Sequence, residues 1–413
     1  MPTLHHFIIN IKRYGNEHKP LYYFSVMILF FVIFDGIMTF LVPVTITDAG
    51  ISESTMGMII GSSSIAGIIF DFFLCWLFRN SNYKRILLVM IIIAALFPYM
   101  LWRADSIFLF LIAMAIWGFY FDLLSISTFD FIGKRTPFAQ HAASFGIVQF
   151  FQALGYLIAP LLVGFVIGET LGIQPFIMAG VFLAIALVLL SLLPARFAGE
   201  QQTRLGAREK SPITIRKEFF LWKKIGRYLL PVLALTIYLE IISGAVWTLG
   251  PLLNGDHLGL PGFSSYFLFA FELPFLIVGW LIGILTKNRS KKRIAYTCLI
   301  IGGLLLGSLN LFTAPLLLLV ITFLASICIA MSWPAINGAY ADYISETEKY
   351  RKEIESLEDF SMNIGFIIGP TIAGFGGAAF GHLPTIGTIG LIGSLVGVLL
   401  LVITPREIKI KIR

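Results

Sequence analysis

Six side chains able to hold a proton or a polar ligand stand inside stretches otherwise built of apolar residues: Asp35, Asp71, Asp122, Glu240, Glu272 and Asn337. A carboxyl in such a stretch is costly to leave charged and unpaired, so it ordinarily faces a cavity or a partner. Two uses satisfy that constraint. Each acid binds a proton or a cationic group in a water-accessible cleft, or it is a neutral carboxyl hydrogen-bonded to a neighbouring helix. Asp35 and Glu240 lie midway along their stretches and lead the candidates, followed by Asp122, Asp71 and Glu272, which precedes Pro274. Asn337, just after Trp333-Pro334, is a weaker polar candidate. Asp130 and Asp342, near the ends of theirs, suit solvated caps or loop pairing. The rings of Trp117, Phe119, Tyr120 and Phe121 either line a cleft beside Asp122 or pack.

No Lys or Arg interrupts any of these stretches. A site for phosphate esters or other strong anions would be expected to carry one for charge-assisted bonds. Acids and aromatics suit a neutral or cationic, partly apolar small molecule better, with cation–π contact contributing. Neither a metal nor a cofactor is expected. Cys75, Cys298 and Cys328 fall inside apolar stretches, where cysteine behaves as a small apolar residue, with no spacing that suggests a disulfide or a metal. The six His residues, His5, His6, His18, His141, His257 and His382, lie at ends or in loops.

The elements that position these acids are membrane helices. Of 413 residues, 58% are hydrophobic and 13% charged, and a mean hydropathy of +0.89 excludes a water-soluble globule. A crossing needs about 20 apolar residues. Twelve runs meet it, near 21–49, 53–77, 86–101, 106–133, 139–168, 174–193, 228–253, 262–286, 294–312, 314–343, 357–381 and 384–404. The expected fold is therefore all-α and integral to a membrane.

Charge sets its orientation. Every Lys and Arg except Arg103 lies before run 1, in alternate gaps between runs, or after run 12, the bias that marks the cytoplasmic side. Both termini are expected there, in a multi-pass protein of the plasma or inner membrane. The net charge of +7 then reports orientation and not a nucleic-acid surface. The first run, preceded by Lys12, Arg13 and Lys19 and lacking a small-residue cleavage site, reads as a retained helix. The stretch from Glu346 to Asp359 pairs Glu348 with Lys352 and Arg351 with Glu355 at helical spacing, which predicts a short surface helix.

The chain repeats itself. Leu77-Phe-Arg-Asn-Ser-Asn-Tyr-Lys84-Arg85-Ile86 matches Leu285-Thr-Lys-Asn-Arg-Ser-Lys-Lys292-Arg293-Ile294 at an offset of 208. Gly155-Tyr-Leu-Ile-Ala159-Pro160-Leu-Leu-Val-Gly164 matches Gly365-Phe-Ile-Ile-Gly369-Pro370-Thr-Ile-Ala-Gly374 at 210. Two matches at nearly one offset imply two six-helix halves, 1–195 and 228–413, joined by a basic cytoplasmic linker, 196–227. Small residues allow close helix contact and Pro160 removes a backbone donor, so Gly155, Pro160, Gly164 and their copies Gly365, Gly369, Pro370 and Gly374 are expected at helix-packing or rocking surfaces.

Twelve crossings, two halves, a basic turn after runs 2 and 8 and a Gly-x-x-x-(Gly/Ala)-Pro element together resemble the major facilitator superfamily of secondary transporters, over essentially the whole chain. The family's turn usually reads Gly-x-x-x-Asp-(Arg/Lys)-x-Gly-(Arg/Lys)-(Arg/Lys), of which only Lys84-Arg85 and Lys292-Arg293 remain as cytoplasmic gate loops. Arg79 and Lys287 stand at the Asp position, and Tyr83 and Ser290 at the second Gly. Met114 stands where many drug exporters carry an Arg four residues before Gly118. The resemblance implies alternating access around a midplane site. With the membrane acids, it leads to a monomeric, proton-coupled exporter of a small neutral or cationic compound, whose partners are the lipid bilayer, that compound and protons. Uptake of a sugar, nucleoside or similar nutrient is the alternative within transport. A polytopic enzyme is disfavoured because the outward loops are short and carry no catalytic set, and a non-transporting sensor is the third reading.

Overall fold

The computed structural model describes residues 19–77, 83–135, 141–167, 171–193, 215–253, 260–285, 290–346 and 350–404, with the side chains of 71–77, 134–135, 141–143, 215–220, 279–285, 345–346 and 351–352 excepted. These residues are almost wholly helical. The first half contains α1 (Lys19–Asp48), α2 (Glu53–Leu77), α3 (Tyr83–Ala94), α4 (Leu96–Arg103), α5 (Ile107–Arg135), α6 (His141–Val166) and α7 (Gln174–Leu192). The second contains α8 (Ile215–Leu249), α9 (Phe263–Leu285), α10 (Lys291–Gly307), α11 (Pro315–Glu346), α12 (Arg351–Phe380) and α13 (His382–Ile403). Among the described residues, eleven stretches are long and apolar enough to cross a bilayer, and a shorter apolar helix runs from Phe263 to Val278, where a twelfth crossing is expected from the sequence.

Boundaries differ from expectation where Pro and charge act. The third crossing is one apolar stretch broken at Ala95 into α3 and α4. Pro98 falls in the first turn of α4, where a missing backbone donor is tolerated. The seventh crossing starts early, at Ile215, so polar residues once expected in a linker extend α8; residues 194–214, which carry most of that linker, lie outside the described residues. The charged stretch beyond Glu346 is not a separate surface helix. From Arg351 it forms the first turns of α12 and runs unbroken into the membrane.

Packing follows the repeat. In lipid there is little hydrophobic drive between helices, so close contact rests on small residues that let backbones approach. Gly155 of α6 lies against Val32 of α1, and Gly365 of α12 against Ile237 and Glu240 of α8. Gly36 of α1 faces Ala159, and Gly244 of α8, 208 residues on, faces Pro370. Gly164 meets Ser265 of α9, and Gly374 meets Gly57 of α2, again 208 residues before Ser265. Gly369 packs on the Ile241 carbonyl. The first two pairs hold each half together and the third joins the halves. A methyl at Gly36 would sit 2.7 Å from the Ala159 Cβ. Gly36→Leu should therefore destabilise the first half by about 1–3 kcal/mol, read as a lower midpoint of thermal unfolding for purified protein; an unchanged midpoint would count against this packing.

The two ends of the bundle differ. At the basic end, Lys84 donates to the Leu193 carbonyl, and Lys291 donates to Asp342 Oδ1 (2.6 Å) and the Gly338 carbonyl (3.2 Å). Lys292 is buried, Arg85 exposed and Arg293 half-buried. Arg79 and Lys287 lie outside the described residues. At the opposite end α2 presses on α12: a side chain at Gly57 would overlap the Pro370 carbonyl, and one at Gly61 would meet the Ile367 carbonyl at 2.7 Å. His382 Nε2 lies 2.9 Å from Glu53 Oε1, tying the start of α13 to the start of α2 across the halves. This pair is about a quarter exposed on each side. Glu53→Gln should cost the closed end about 1 kcal/mol or less, a shift of up to about fivefold in favour of opening, measured as distances between spin labels placed on the two halves.

Candidate functional site

Asp35 stands near the middle of α1 and is 1% exposed. Among the described residues, no Lys or Arg is bonded to it. Instead three neutral donors converge on its two oxygens: Trp117 Nε1 (3.0 Å) and Tyr120 Oη (2.6 Å), both from α5, donate to Oδ1, and Tyr156 Oη (2.7 Å) from α6 donates to Oδ2. Trp117 and Tyr120 are three residues apart, so one face of α5 delivers both. Tyr156 follows Gly155, whose lack of a side chain brings α6 onto α1 and the phenol within reach.

The second half answers with one carboxyl. Glu272 of α9 is 8% exposed, and its Oε1 accepts the indole N–H of Trp247 of α8 at 3.0 Å. The two carboxyl systems meet ring to ring. Tyr156 lies edge-on to Trp247 with centroids 5.8 Å apart, and Trp117 lies edge-on to Phe366 of α12 at 5.9 Å. Such pairs hold aromatic rings in fixed relative orientation. Between them is a narrow, mostly apolar gap lined by Thr39, Pro43, Ile60, Trp117, Trp247 and Phe366, among others. The inter-half contacts at Glu53, Gly57 and Gly164 separate this gap from the opposite end of the bundle.

Other candidates lie elsewhere. Glu240 is half-buried on α8, and its Cβ packs where Gly365 has none, on the α8–α12 contact; it is not among the donors or acceptors bonded to Asp35. Asp122 is half-buried on α5 with its carboxyl beside Gly67 of α2. Asp71 is on α2, but its side chain lies outside the described ones. Asn337 is exposed on α11. Of the aromatic run, Trp117 and Tyr120 reach Asp35, Phe119 packs edge-on against Phe70 at 4.7 Å, and Phe121 is exposed. Tyr156 and Trp247 are site residues that the sequence reading passed over. The available signal was their depth: aromatics with a polar handle usually mark the membrane surface, whereas Tyr156 stands well inside its run.

The arrangement is a buried carboxyl whose two oxygens accept three neutral donors, one of which, Trp117, also lines the gap. Among the described residues, no group of His, Cys, Asp and Glu is placed to hold a metal ion.

Three solved structures with a similar fold are of transporters. The nucleoside transporter NupG superposes with a TM-score of 0.71 at 15% identity, covering 93% of this chain and 97% of that one. A bacterial homologue of the human lysosomal transporter Spinster, in an inward-facing and unoccupied conformation, gives 0.65 at 14%, covering 94% and 95%. The peptide transporter POT in complex with sulfate gives 0.69 at 14%, covering 93% and 94%. No curated protein matches by sequence. The sequence profile of the Major Facilitator Superfamily matches residues 23–351, most of the chain, and the protein belongs to that family.

Proposed function

We propose that the protein is a proton-coupled secondary transporter that exports a small neutral or cationic compound by alternating access, its halves 1–195 and 228–413 rocking about the gap beside Trp117 and Trp247. The reading includes a monomer in a plasma or inner membrane with both termini and the basic end in the cytoplasm. The carrying observation is Asp35: a carboxyl buried at mid-helix, held by three neutral donors and free of any basic partner in those contacts. Lysine and arginine are absent from the gap lining, which supports a neutral or cationic passenger over an anion. The acids serve here as binding groups and not as catalysts.

The test uses purified protein in proteoliposomes with an imposed pH gradient and three probes: ethidium, tetraphenylphosphonium and uridine. Gradient-driven movement of a cation out of the compartment that stands for the cytoplasm, absent in Asp35→Asn, is the expected result. Strong transport of an organic phosphate, or cation movement unaffected by Asp35→Asn, would overturn it. The flat rings of Trp117, Trp247 and Phe366 around the gap favour one second reading, uptake of a heteroaromatic nutrient of the kind named for NupG; accumulation of uridine down the proton gradient would select it.

A further inference from the structure

The repeated glycine element places an aromatic residue directly after its first glycine in each half: Tyr156 after Gly155 and Phe366 after Gly365. Both rings cross to the other half, Tyr156 to Trp247 and Phe366 to Trp117. The copies differ by one hydroxyl. That hydroxyl is the one that donates to Asp35 Oδ2, and the ring it meets is the one whose N–H is held by Glu272. A continuous path of contacts thus runs from the carboxyl of one half to the carboxyl of the other: Asp35, Tyr156, Trp247, Glu272.

Donor counting shows what such a path can do. An ionised carboxylate only accepts, so it accommodates all three of its donors, whereas a protonated carboxyl carries a donor of its own and has less room to accept. Trp117 is 7% exposed and Tyr120 fully buried, whereas Tyr156 is only partly buried and is the donor best placed to give way. When a proton from water settles on Oδ2, it points at the Tyr156 oxygen. Tyr156 keeps its own proton, which then needs a new acceptor. Turning to find one moves a ring seated against Trp247.

We infer that Tyr156 and Trp247 are positioning residues that pass the state of Asp35 to Glu272 in the other half, so that the two carboxyls load and unload as one unit. This deepens the proposed function, because it rests on Asp35 as a proton-binding group. Its substrate-side consequence is that a cationic passenger engages both halves in one event, Asp35 from one side and Glu272 from the other. The titratable groups facing Asp35 are Tyr120 from α5 and Tyr156 from α6; the group facing Glu272 is Tyr156, with Trp247 as its hydrogen-bond donor. No Lys or Arg is among these described contacts.

The experiment needs no identified substrate, since the probe is the proton. Infrared difference spectra of the full chain in lipid nanodiscs, recorded as pH is varied, report protonated-carboxyl bands, with Asp35 assigned by its loss in Asp35→Asn and Glu272 by its loss in Glu272→Gln. In the parent background Glu272→Gln should displace the Asp35 midpoint by about one pH unit, the scale of a coupled pair. In Tyr156→Phe, which copies Phe366, and in Trp247→Phe, which keeps a ring but no donor, that displacement should fall to less than about a third. Trp247→His, which restores a ring N–H, should recover it and guards against a Phe variant that fails to fold. A displacement that persists at full size in both Phe variants overturns the inference while leaving the transporter reading intact. Absence of any Asp35 band across the pH range where the protein is stable overturns the transporter's proton site itself, and the inference with it.

Discussion

Replacing Asp35 by asparagine should abolish proton-coupled transport, lowering gradient-driven flux by at least about tenfold, while leaving a folded protein. The amide keeps the size of the carboxyl and one oxygen acceptor, so the Oδ1 bonds from Trp117 and Tyr120 can survive. The other position becomes a donor facing the Tyr156 hydroxyl, and the titratable group is gone. Asp35→Ala should behave differently. It strands up to three donors in a buried site, each worth about 1–3 kcal/mol when left unmade, and the loss should appear as reduced thermal stability as well as lost flux. The contrast between the two variants is the informative result: equal destabilisation in both would mean that Asp35 serves chiefly as a structural tie. Undiminished flux in Asp35→Asn would remove it from the mechanism.

The second large effect is expected at the closed end. A leucine at Gly57 or Gly374 cannot fit, because each glycine faces backbone of the other helix: Gly57 lies on the Pro370 carbonyl and Gly374 on the Glu53 carbonyl. A backbone cannot swing aside as a long side chain does, so α2 and α12 must part. The substitution should move the population toward the state open at that end by at least about tenfold, which corresponds to about 1.4 kcal/mol, and should arrest net transport. The measurement is the alkylation rate of a single cysteine introduced at Thr248, a buried residue that lines the gap, in a background with the native cysteines replaced. Faster labelling is expected in Gly57→Leu and Gly374→Leu. An unchanged rate would show that this contact does not seal the gap. Glu53→Gln acts on the same end with a much smaller effect, since the Glu53–His382 pair is partly solvated.

The architecture could be read from the sequence because membrane helices announce themselves through length, composition and the side on which Lys and Arg collect. The internal repeat carried further than its matched letters. The offset of 208 that aligns Leu77 with Leu285 also aligns contacts involving Gly36 with Gly244 and Gly57 with Ser265, although those residues sit outside the matched segments. The repeat is not exact at the acids. Asp35 and Glu240 are on equivalent helices, yet the 208-residue offset carries Asp35 to Ser243, not to Glu240. That is nearly a full helical turn away, and Glu240 accordingly packs at Gly365. The acid of the second half that mirrors Asp35 in environment is Glu272, on a helix with no equivalent acid in that role. Asp35 itself stood out, because a carboxyl in an apolar run needs an explanation. Its partners did not, because one Tyr among fourteen or one Trp among seven carries no mark of its own until the fold brings it to an acid. Tyr156 was hidden inside the glycine element, where the glycines drew attention to packing and the hydroxyl went unread.

Proton release on ligand binding tests the central claim most directly. For whichever of ethidium, tetraphenylphosphonium and uridine the reconstituted protein transports, the compound is added to purified protein in weakly buffered detergent solution and the pH is followed. The account predicts release of protons from the parent protein and none from Asp35→Asn under the same occupancy. Equal release from both, or saturable binding to the parent with no release, would contradict it.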